Sequence, residues 1–335
     1  MARGYRVLLA TDPRGAAFAA KVPGAELLPI SSATFSGRNP IRITMALGQI
    51  LKGVGQARAA FRREKPLAVV GFGGYPALPS MMAASLTGTP SLIHDSNALL
   101  GRVNRLVAKR VTKIALAFDK VALLPRGAED KVIVVGNPVR PEIVSHATPY
   151  DPPGEGPIRL LVFGGSQGAR VMSDVMPAAL ALLPDAMRAR LSVTQQARGE
   201  DLDRARAAYA ELGIPAETLD FISDMPQRMA AAHLVIARSG ASTCAELTVM
   251  GRPSLLVPYP FATDDHQSYN ARVLADSGAA MSISQPVFTA AHVAREIEAL
   301  FLAPARLGTM AVAAKAMGRP RAAEDLADAI EALGR

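Results

Sequence analysis

Cysteine is nearly absent from this sequence. Its 335 residues include one, Cys244. A single thiol excludes an internal disulfide framework and suits a reducing compartment. Aromatic residues are also scarce, at 5%. No basic cluster with interleaved rings occurs, which argues against a nucleic-acid surface. No low-complexity tract and no repeat of solenoid period is visible. A signal peptide is not expected at MARGYRVLLATD, whose apolar core is short and meets Asp12. Residues 66–94 carry no formal charge, a length that invites a membrane reading. Their glycines, Ser/Thr content and prolines at 76, 79 and 90 predict strand, loop, helix and strand instead.

What is present is an ordinary soluble composition, half hydrophobic and one fifth charged. The length exceeds what one core usually serves, so two domains are expected. The 37 basic and 29 acidic residues give a net charge of +8. Such a balance suits anionic lipid or phosphorylated substrates.

Short aliphatic runs alternate with longer helical patterns. The first half predicts strands over 5–10, 67–71, 91–94, 113–117 and 132–136. The second half predicts strands over 158–164, 191–195, 233–237, 254–258 and 279–283. Helical stretches fall between them, among them 168–183, 201–212, 266–276 and 289–302. Continuous apolar strands alternating with helices mean parallel sheets covered on both faces. The Pro- and Gly-dense stretch 137–157 reads as the linker between two such series. A last amphipathic helix, 321–333, follows the breakers Gly318 and Pro320.

Two loops carry chemistry. In LLVFGGSQGARVM (160–172) an apolar run stops at glycines before a helix. Glycines there let backbone N–H groups approach a phosphate, and the helix start adds partial positive charge. The spacing is not GxGxxG, and a plain tight turn fits equally well. In ARSGASTCAELTVMGRP (237–253) a second helix opens after a strand. Ser242 and Thr243 beside free helix N–H groups make an anion seat, and Glu246, one turn in, could accept bonds from a ribose diol. The plainer reading is an N-terminal turn with a carboxylate favoured by the helix dipole.

RSGASTCAE, with GGSQGAR and GNPVR (136–140), closely resembles the MurG family of glycosyltransferases. FGGYPALPS (72–80), IHDSN (93–97), FISDM (221–225) and DHQSYNA (265–271) fall in that family's order, and the resemblance spans essentially the whole chain. It implies an α/β GT-B fold of two Rossmann-like, doubly wound domains facing a cleft. The expected domains are 1–139 with 319–335, binding acceptor and membrane, and 140–318, binding UDP-GlcNAc. The implied reaction moves GlcNAc from UDP-GlcNAc to the C4 hydroxyl of undecaprenyl-pyrophosphoryl-MurNAc-pentapeptide with inversion, at the cytoplasmic face of the inner membrane. No cofactor and no metal is implied.

Carried over position by position, the resemblance places Asn97 and Gln267 at the sugar and Ser166 near the diphosphate. It puts Arg140 in the donor site, Ile222 beside the uracil, Ala241, Ser242, Thr243, Cys244 and Ala245 around the diphosphate, and Glu246 on the ribose. Cys244 reads separately as a small packed residue. Ser242 stands where the family often has a larger apolar residue, and Asp95-Ser96 replace a commoner Glu-Gln. The opening departs more. The family's first strand and its GGTGGH-type loop, which carries a histidine, have no counterpart here, and MARGYRVLLATD matches a helix end and a second strand. Coding sequence upstream is therefore expected. The 335-residue form is expected to bind UDP with little turnover.

For the base that deprotonates the acceptor, His94 and Asp95 are the candidates, with a structural role for His94 as the alternative. Asp201-Leu202-Asp203 has the DxD form of a metal site but reads as the solvated face of a helix. His266 with Asp264 and Asp265 offers a second metal pattern, set against the loop reading that delivers Gln267. A helix over 41–63 carries Ile43, Leu47, Ile50, Val54 and Phe61 near one stripe, with Arg38, Arg42, Lys52, Arg58, Arg62 and Arg63 around it. That suits either core packing or docking on an anionic membrane. Two other functions stay open: a UDP-GlcNAc 2-epimerase-like enzyme and a non-catalytic UDP-GlcNAc-binding protein.

Overall fold

The computed structural model describes residues 3–13, 15, 22–34, 39–165 and 170–334. Arg38 and Ser166 lie outside them. The chain forms two compact units, residues 1–135 with 324–335, and residues 136–323.

The first unit holds β1 (Leu8–Thr11) and β2 (Glu26–Pro29), which pair in parallel. A second parallel sheet runs in sequence order through β3 (Val69–Gly71), β4 (Ser91–Asp95), β5 (Lys113–Leu116) and β6 (Val132–Val134). Among the described residues the two sheets share no ladder. Strand β4 is buried along its whole length, as a strand covered on both faces must be. On one face Ile93 joins Ile50, Val54, Leu78 and Met81. On the other, Leu92 and Val135 meet Leu326, Ala329 and Ile330 of the C-terminal helix Ala322–Ala332. Arg3 reaches Asp328 of that helix at 2.6 Å.

The stretch 66–94 resolves into β3, a short 3-10 turn, the helix Leu78–Thr87 and β4. Among the described residues no single helix is long and apolar enough to cross a membrane. The helix Pro40–Glu64 buries Ala46, Ile50, Gly53, Val54, Ala57 and Ala60. Ile43 and Leu47, expected on that stripe, are exposed instead. Helical geometry gives the reason. At about 100° per residue Leu47 falls just beyond the edge of the buried face, whereas Ile43 shares that face's direction but precedes its first buried residue, Ala46. At Gly53 the lack of a side chain is required. A Cβ on Gly53 would stand 1.9 Å from the carbonyl of Ser31 and 3.0 Å from Pro79 of the neighbouring helix.

The second unit is one six-stranded parallel sheet of β7 (Ile158–Phe163), β8 (Leu191–Gln196), β9 (Ala216–Leu219), β10 (Leu234–Ala237), β11 (Ser254–Leu256) and β12 (Ala280–Ser282). Its order is β12-β11-β10-β7-β8-β9, the doubly wound order with its reversal between β7 and β10. Two strands went unanticipated, β2 and β9. ELLP and AETL are short, carry an acid each and lack β-branched runs.

His233 sits just before β10, where its Nδ1 accepts the backbone N–H of Arg159 at 3.0 Å. Burial lowers the His233 pKa, helped by the charge of Arg159. The neutral ring is thus favoured in the folded state, and the unfolded chain takes up the proton first as pH falls. Its contribution to stability is complete above about pH 6.5, the ordinary histidine value, and is lost as pH falls below that. Urea denaturation at pH 8 and pH 5 should show this loss. His233→Asn, which removes the titrating group, should flatten the difference.

Candidate active site

The sheet reversal sets the site. Strands β7 and β10 are paired neighbours, with Phe163 opposite Ala237. Their following loops therefore leave the same sheet edge side by side. Doubly wound folds bind ligands outside the carboxyl ends of the strands at this crevice. After β7, Gly165 takes φ +84, and the helix Arg170–Ala181 begins past the undescribed residues 166–169. After β10, Gly240 is extended and opens the helix Ala241–Met250 without a side-chain cap. The Cys244 N–H is bonded to the Gly240 carbonyl at 2.9 Å. The N–H groups of Ala241, Ser242 and Thr243 precede that ladder and face the helix start. Ser242 is exposed, whereas Ala241, Thr243 and Ala245 are half-buried.

Cys244 does not belong to the seat. It is fully buried, burial pushes its thiol up to about 12, and its N–H is committed to the helix. Its expected contact with the diphosphate is corrected to a packing role.

Glu246 and Arg140 meet across this helix. Arg140 Nε donates to Glu246 Oε1 at 3.2 Å, and Nη2 lies 3.1 Å from the same oxygen. Arg140 is largely exposed, while the Glu246 side chain is largely covered. Burial raises the Glu246 pKa, and the Arg140 charge works against that rise. The pair holds a carboxylate ready for hydroxyl donors and a cation at the edge of the anion seat.

The loop after β9 is tied at both ends. Gln196 Nε2 donates to the Asp220 carbonyl at 3.1 Å. Arg228 Nε donates to Asp224 at 2.7 Å, and the same guanidinium also binds Thr194 and Glu217. Between these ties Phe221 is exposed and Ile222 is buried. The Ile222 side chain is thus turned inward, so a base beside it would meet its backbone rather than its side chain.

Gln267 lies in the first turn of the helix His266–Asp276. Its Oε1 accepts the Tyr259 N–H at 3.0 Å. Before it, Asp264 and Asp265 take φ of +53 and +57, a left-handed backbone that side chains rarely adopt. Behind it, the buried Arg238 donates to the carbonyls of Val257 and Pro258 and to Gln285. Arg252, also buried, is held by carbonyls at the ends of two helices and by Thr148. Sequence reasoning passed over these two arginines and Asn270. Arg238 and Asn270 sit inside the RSG and DHQSYNA motifs. Nothing in the local pattern marks Arg252.

In the first unit, β4 ends at His94 and Asp95, both buried. The Asp95 carboxylate accepts the N–H of Asn97 at 3.1 Å, the N–H of Gly101 at 2.7 Å and Asn104 Nδ2 at 2.9 Å. This gives Asp95 a structural role beside the base role expected of it. These bonds shape the loop from Asn97 to Asn104, so Asp95 is the loop's organiser. The His94 ring stands 5.8 Å from Phe72, and its carbonyl accepts Asn104 Nδ2. Asn97 is half-buried at the end of this turn.

The acidic strings read differently in place. Asp203 is exposed, but Asp201 is buried and bound to Arg204 at 2.5 Å. Asp201 therefore leaves the solvated face on which it was expected. It lies in the first turn of the helix Gly199–Glu211, where the dipole favours a carboxylate. His266 Nδ1 lies 2.9 Å from the Thr263 carbonyl. Among the described residues no three His, Cys, Asp or Glu side chains converge as a metal site.

Family models match most of the chain. The N-terminal domain of glycosyltransferase family 28 matches residues 1–116, and its C-terminal domain matches residues 159–326. A relative from Mesorhizobium japonicum is 51% identical over 99% of this chain and 88% of its own. It is named UDP-N-acetylglucosamine–N-acetylmuramyl-(pentapeptide) pyrophosphoryl-undecaprenol N-acetylglucosamine transferase. The crystal structure of MurG from Acinetobacter baumannii superposes with a TM-score of 0.81 at 29% identity, over 99% of this chain and 92% of that one. A UDP-GlcNAc 2-epimerase from Neisseria meningitidis, bound to UDP-GlcNAc, superposes at 0.62 with 13% identity, over 96% of this chain and 90% of that one, a likeness of fold alone.

The two aspartates of the DxD string should separate in a stability assay. Asp201→Asn weakens the bond to Arg204 and should cost on the order of 1 kcal/mol in urea denaturation. Asp203→Asn should leave the midpoint unchanged. Neither should alter turnover, because one carboxylate faces inward and the other lies in solvent. A metal carried between them would make both substitutions abolish it.

Proposed function

The chain belongs to glycosyltransferase family 28, among the MurG enzymes, and from that premise we propose that it transfers GlcNAc from UDP-GlcNAc to undecaprenyl-pyrophosphoryl-MurNAc-pentapeptide. The open helix start at Ala241, with Glu246 and Arg140 beside it at the sheet reversal, carries this reading. In the transfer, the acceptor C4 oxygen attacks the anomeric carbon of GlcNAc as the bond to UDP breaks. The acceptor proton passes to a base, and negative charge grows on the leaving diphosphate. The N–H groups of Ala241, Ser242 and Thr243 and the Arg140 guanidinium oppose that charge. Glu246 holds the ribose, the 220–224 loop frames the uracil, and Gln267 reads the sugar. His94, near the carboxyl end of β4, is the base proposed to take that proton.

The acceptor is anchored in lipid, and the first unit has a surface suited to reaching it. On the helix Pro40–Glu64, Ile41, Met45 and Leu51 are each more than 60% exposed. Arg42, Lys52, Arg58, Arg62 and Arg63 are exposed around them. Apolar insertion plus cationic attraction supports peripheral binding to the anionic cytoplasmic face of the inner membrane.

Donor binding is tested by calorimetry with UDP. Glu246→Ala should cost about 1.5–3 kcal/mol of binding, the worth of a charged hydrogen-bond acceptor. Unchanged affinity would remove the ribose role. Turnover is tested by following labelled GlcNAc into lipid. Release of UDP-ManNAc from UDP-GlcNAc alone would favour the epimerase instead.

Membrane binding is tested by sedimentation with vesicles containing anionic phospholipid. Replacing Ile41, Met45 and Leu51 together by Ser should release the protein to the supernatant with its fold intact. Raising salt should weaken binding of the parent protein, because the cationic part is screened. Equal sedimentation of both proteins at every salt concentration would contradict the assignment.

A further inference from the structure

Two buried polar residues join the helix start at Ala241 to Gln267, and no role has yet been given to either. Ser239 and Asn270 are both fully buried. Ser239 Oγ donates to the Gln267 carbonyl at 2.8 Å. Asn270 Nδ2 donates to the Ser239 carbonyl at 3.0 Å. The Gln267 side chain is in turn fixed by the Tyr259 N–H. That donor can only meet the amide oxygen, so the Gln267 side chain is held with its NH2 as the end left for other partners. An NH2 suits the hydroxyl oxygens of a sugar.

The bonds tie two loops directly to one another. Ser239 precedes the anion seat, and Gln267 follows the left-handed pair Asp264 and Asp265. Such a backbone persists only where the surroundings fix it. We infer that Ser239 and Asn270 are positioning residues for the sugar of the donor: they set the distance between the diphosphate seat and Gln267. This rests on the reading of Gln267 as the residue that meets GlcNAc. The uridine contacts at Glu246 and in the 220–224 loop do not pass through the pair, so the consequence is specific. Loss of the Ser239 hydroxyl should loosen recognition of the sugar while leaving recognition of the nucleotide in place.

The test compares UDP and UDP-GlcNAc binding by calorimetry in the full chain. Ser239→Ala removes only an oxygen from a filled site and carries the main test. Asn270→Asp replaces the donor by a carboxylate facing the Ser239 carbonyl. Each variant should weaken UDP-GlcNAc roughly three- to tenfold, the worth of one hydrogen bond, with UDP affinity within about twofold of the parent. The KM for UDP-GlcNAc in the transfer assay should rise in step. Ser239→Ala combined with Gln267→Ala should lose no more than Gln267→Ala alone, because both act through one contact. Should Asn270→Asp fail to fold, Ser239→Ala decides by itself. Equal weakening of both ligands, or a fully additive double variant, would overturn the positioning role. Failure of the parent protein to bind UDP-GlcNAc more tightly than UDP would instead overturn the sugar-reading role of Gln267, a separate outcome.

Discussion

An α-helix cannot satisfy its own first N–H groups, and the second unit is arranged around that deficit. The reversal of strand order places β7 beside β10, so the helices that follow them begin at one edge. Gly240 supplies no capping side chain, and the first amides of Ala241–Met250 are left for whatever occupies the crevice. A stable protein would ordinarily close such an end with Ser, Thr, Asp or Asn, gaining about 1 kcal/mol. Glycine at this position forgoes that stabilisation and admits a close anionic approach. Around the seat, the Arg140–Glu246 pair, the ties on the 220–224 loop and the Ser239–Asn270 link all fix loops relative to this helix start.

Charge is handled in two ways in this unit. At the seat, Arg140 stays largely in solvent and pairs with the covered Glu246, so the cation loses little hydration and the acid is not stranded. Deeper in, Arg238 and Arg252 are held by carbonyl oxygens, with no carboxylate bonded to either among the described residues. Burial lowers the pKa of both. Arg252 collects carbonyls near the ends of the helices Met225–Ala231 and Ala241–Met250, where the helix dipoles favour a cation. The guanidinium suits the task because its five N–H groups spread over several acceptors in fixed directions. A lysine could not span them. These arginines serve as rigid crossbraces behind the loops at this sheet edge.

Much of this was legible in the sequence. Strand and helix alternation gave the parallel sheets, and glycines after β7 and β10 marked the ligand edge. The motifs proposed for the donor each hold their residues within a few positions of one strand end, so the sequence alone could assign them to one sheet edge. The gaps share a cause. Asp95 has the composition of a base, and only its three donors show that it shapes a loop. Asp201 lies in a charged run, yet Arg204 and the first helical turn draw it inward. Cys244 stands inside a polar motif and turns to the core. In each case the side chain's direction is decided by loop closure around it or by helical phase, which a list of motif letters does not carry.

The helix Pro40–Glu64 shows the same limit in another form. Periodicity finds the face with the largest apolar side chains and takes it for the core. Here much of the buried face is made by Ala46, Gly53, Ala57 and Ala60 beside Ile50 and Val54, and at Gly53 the Ser31 carbonyl and Pro79 of the helix Leu78–Thr87 come too close for a side chain. The larger residues are thereby displaced to the flanks and outer side, where Ile41, Met45 and Leu51 remain in solvent. Hydrophobic size and burial thus run in opposite directions over the first turns. Exposed apolar side chains next to cations are disposed to associate with other surfaces. The helix thus packs on its own domain through Ala46, Gly53, Ala57 and Ala60 with Ile50 and Val54 beside them, and leaves the largest apolar residues of its first turns outside.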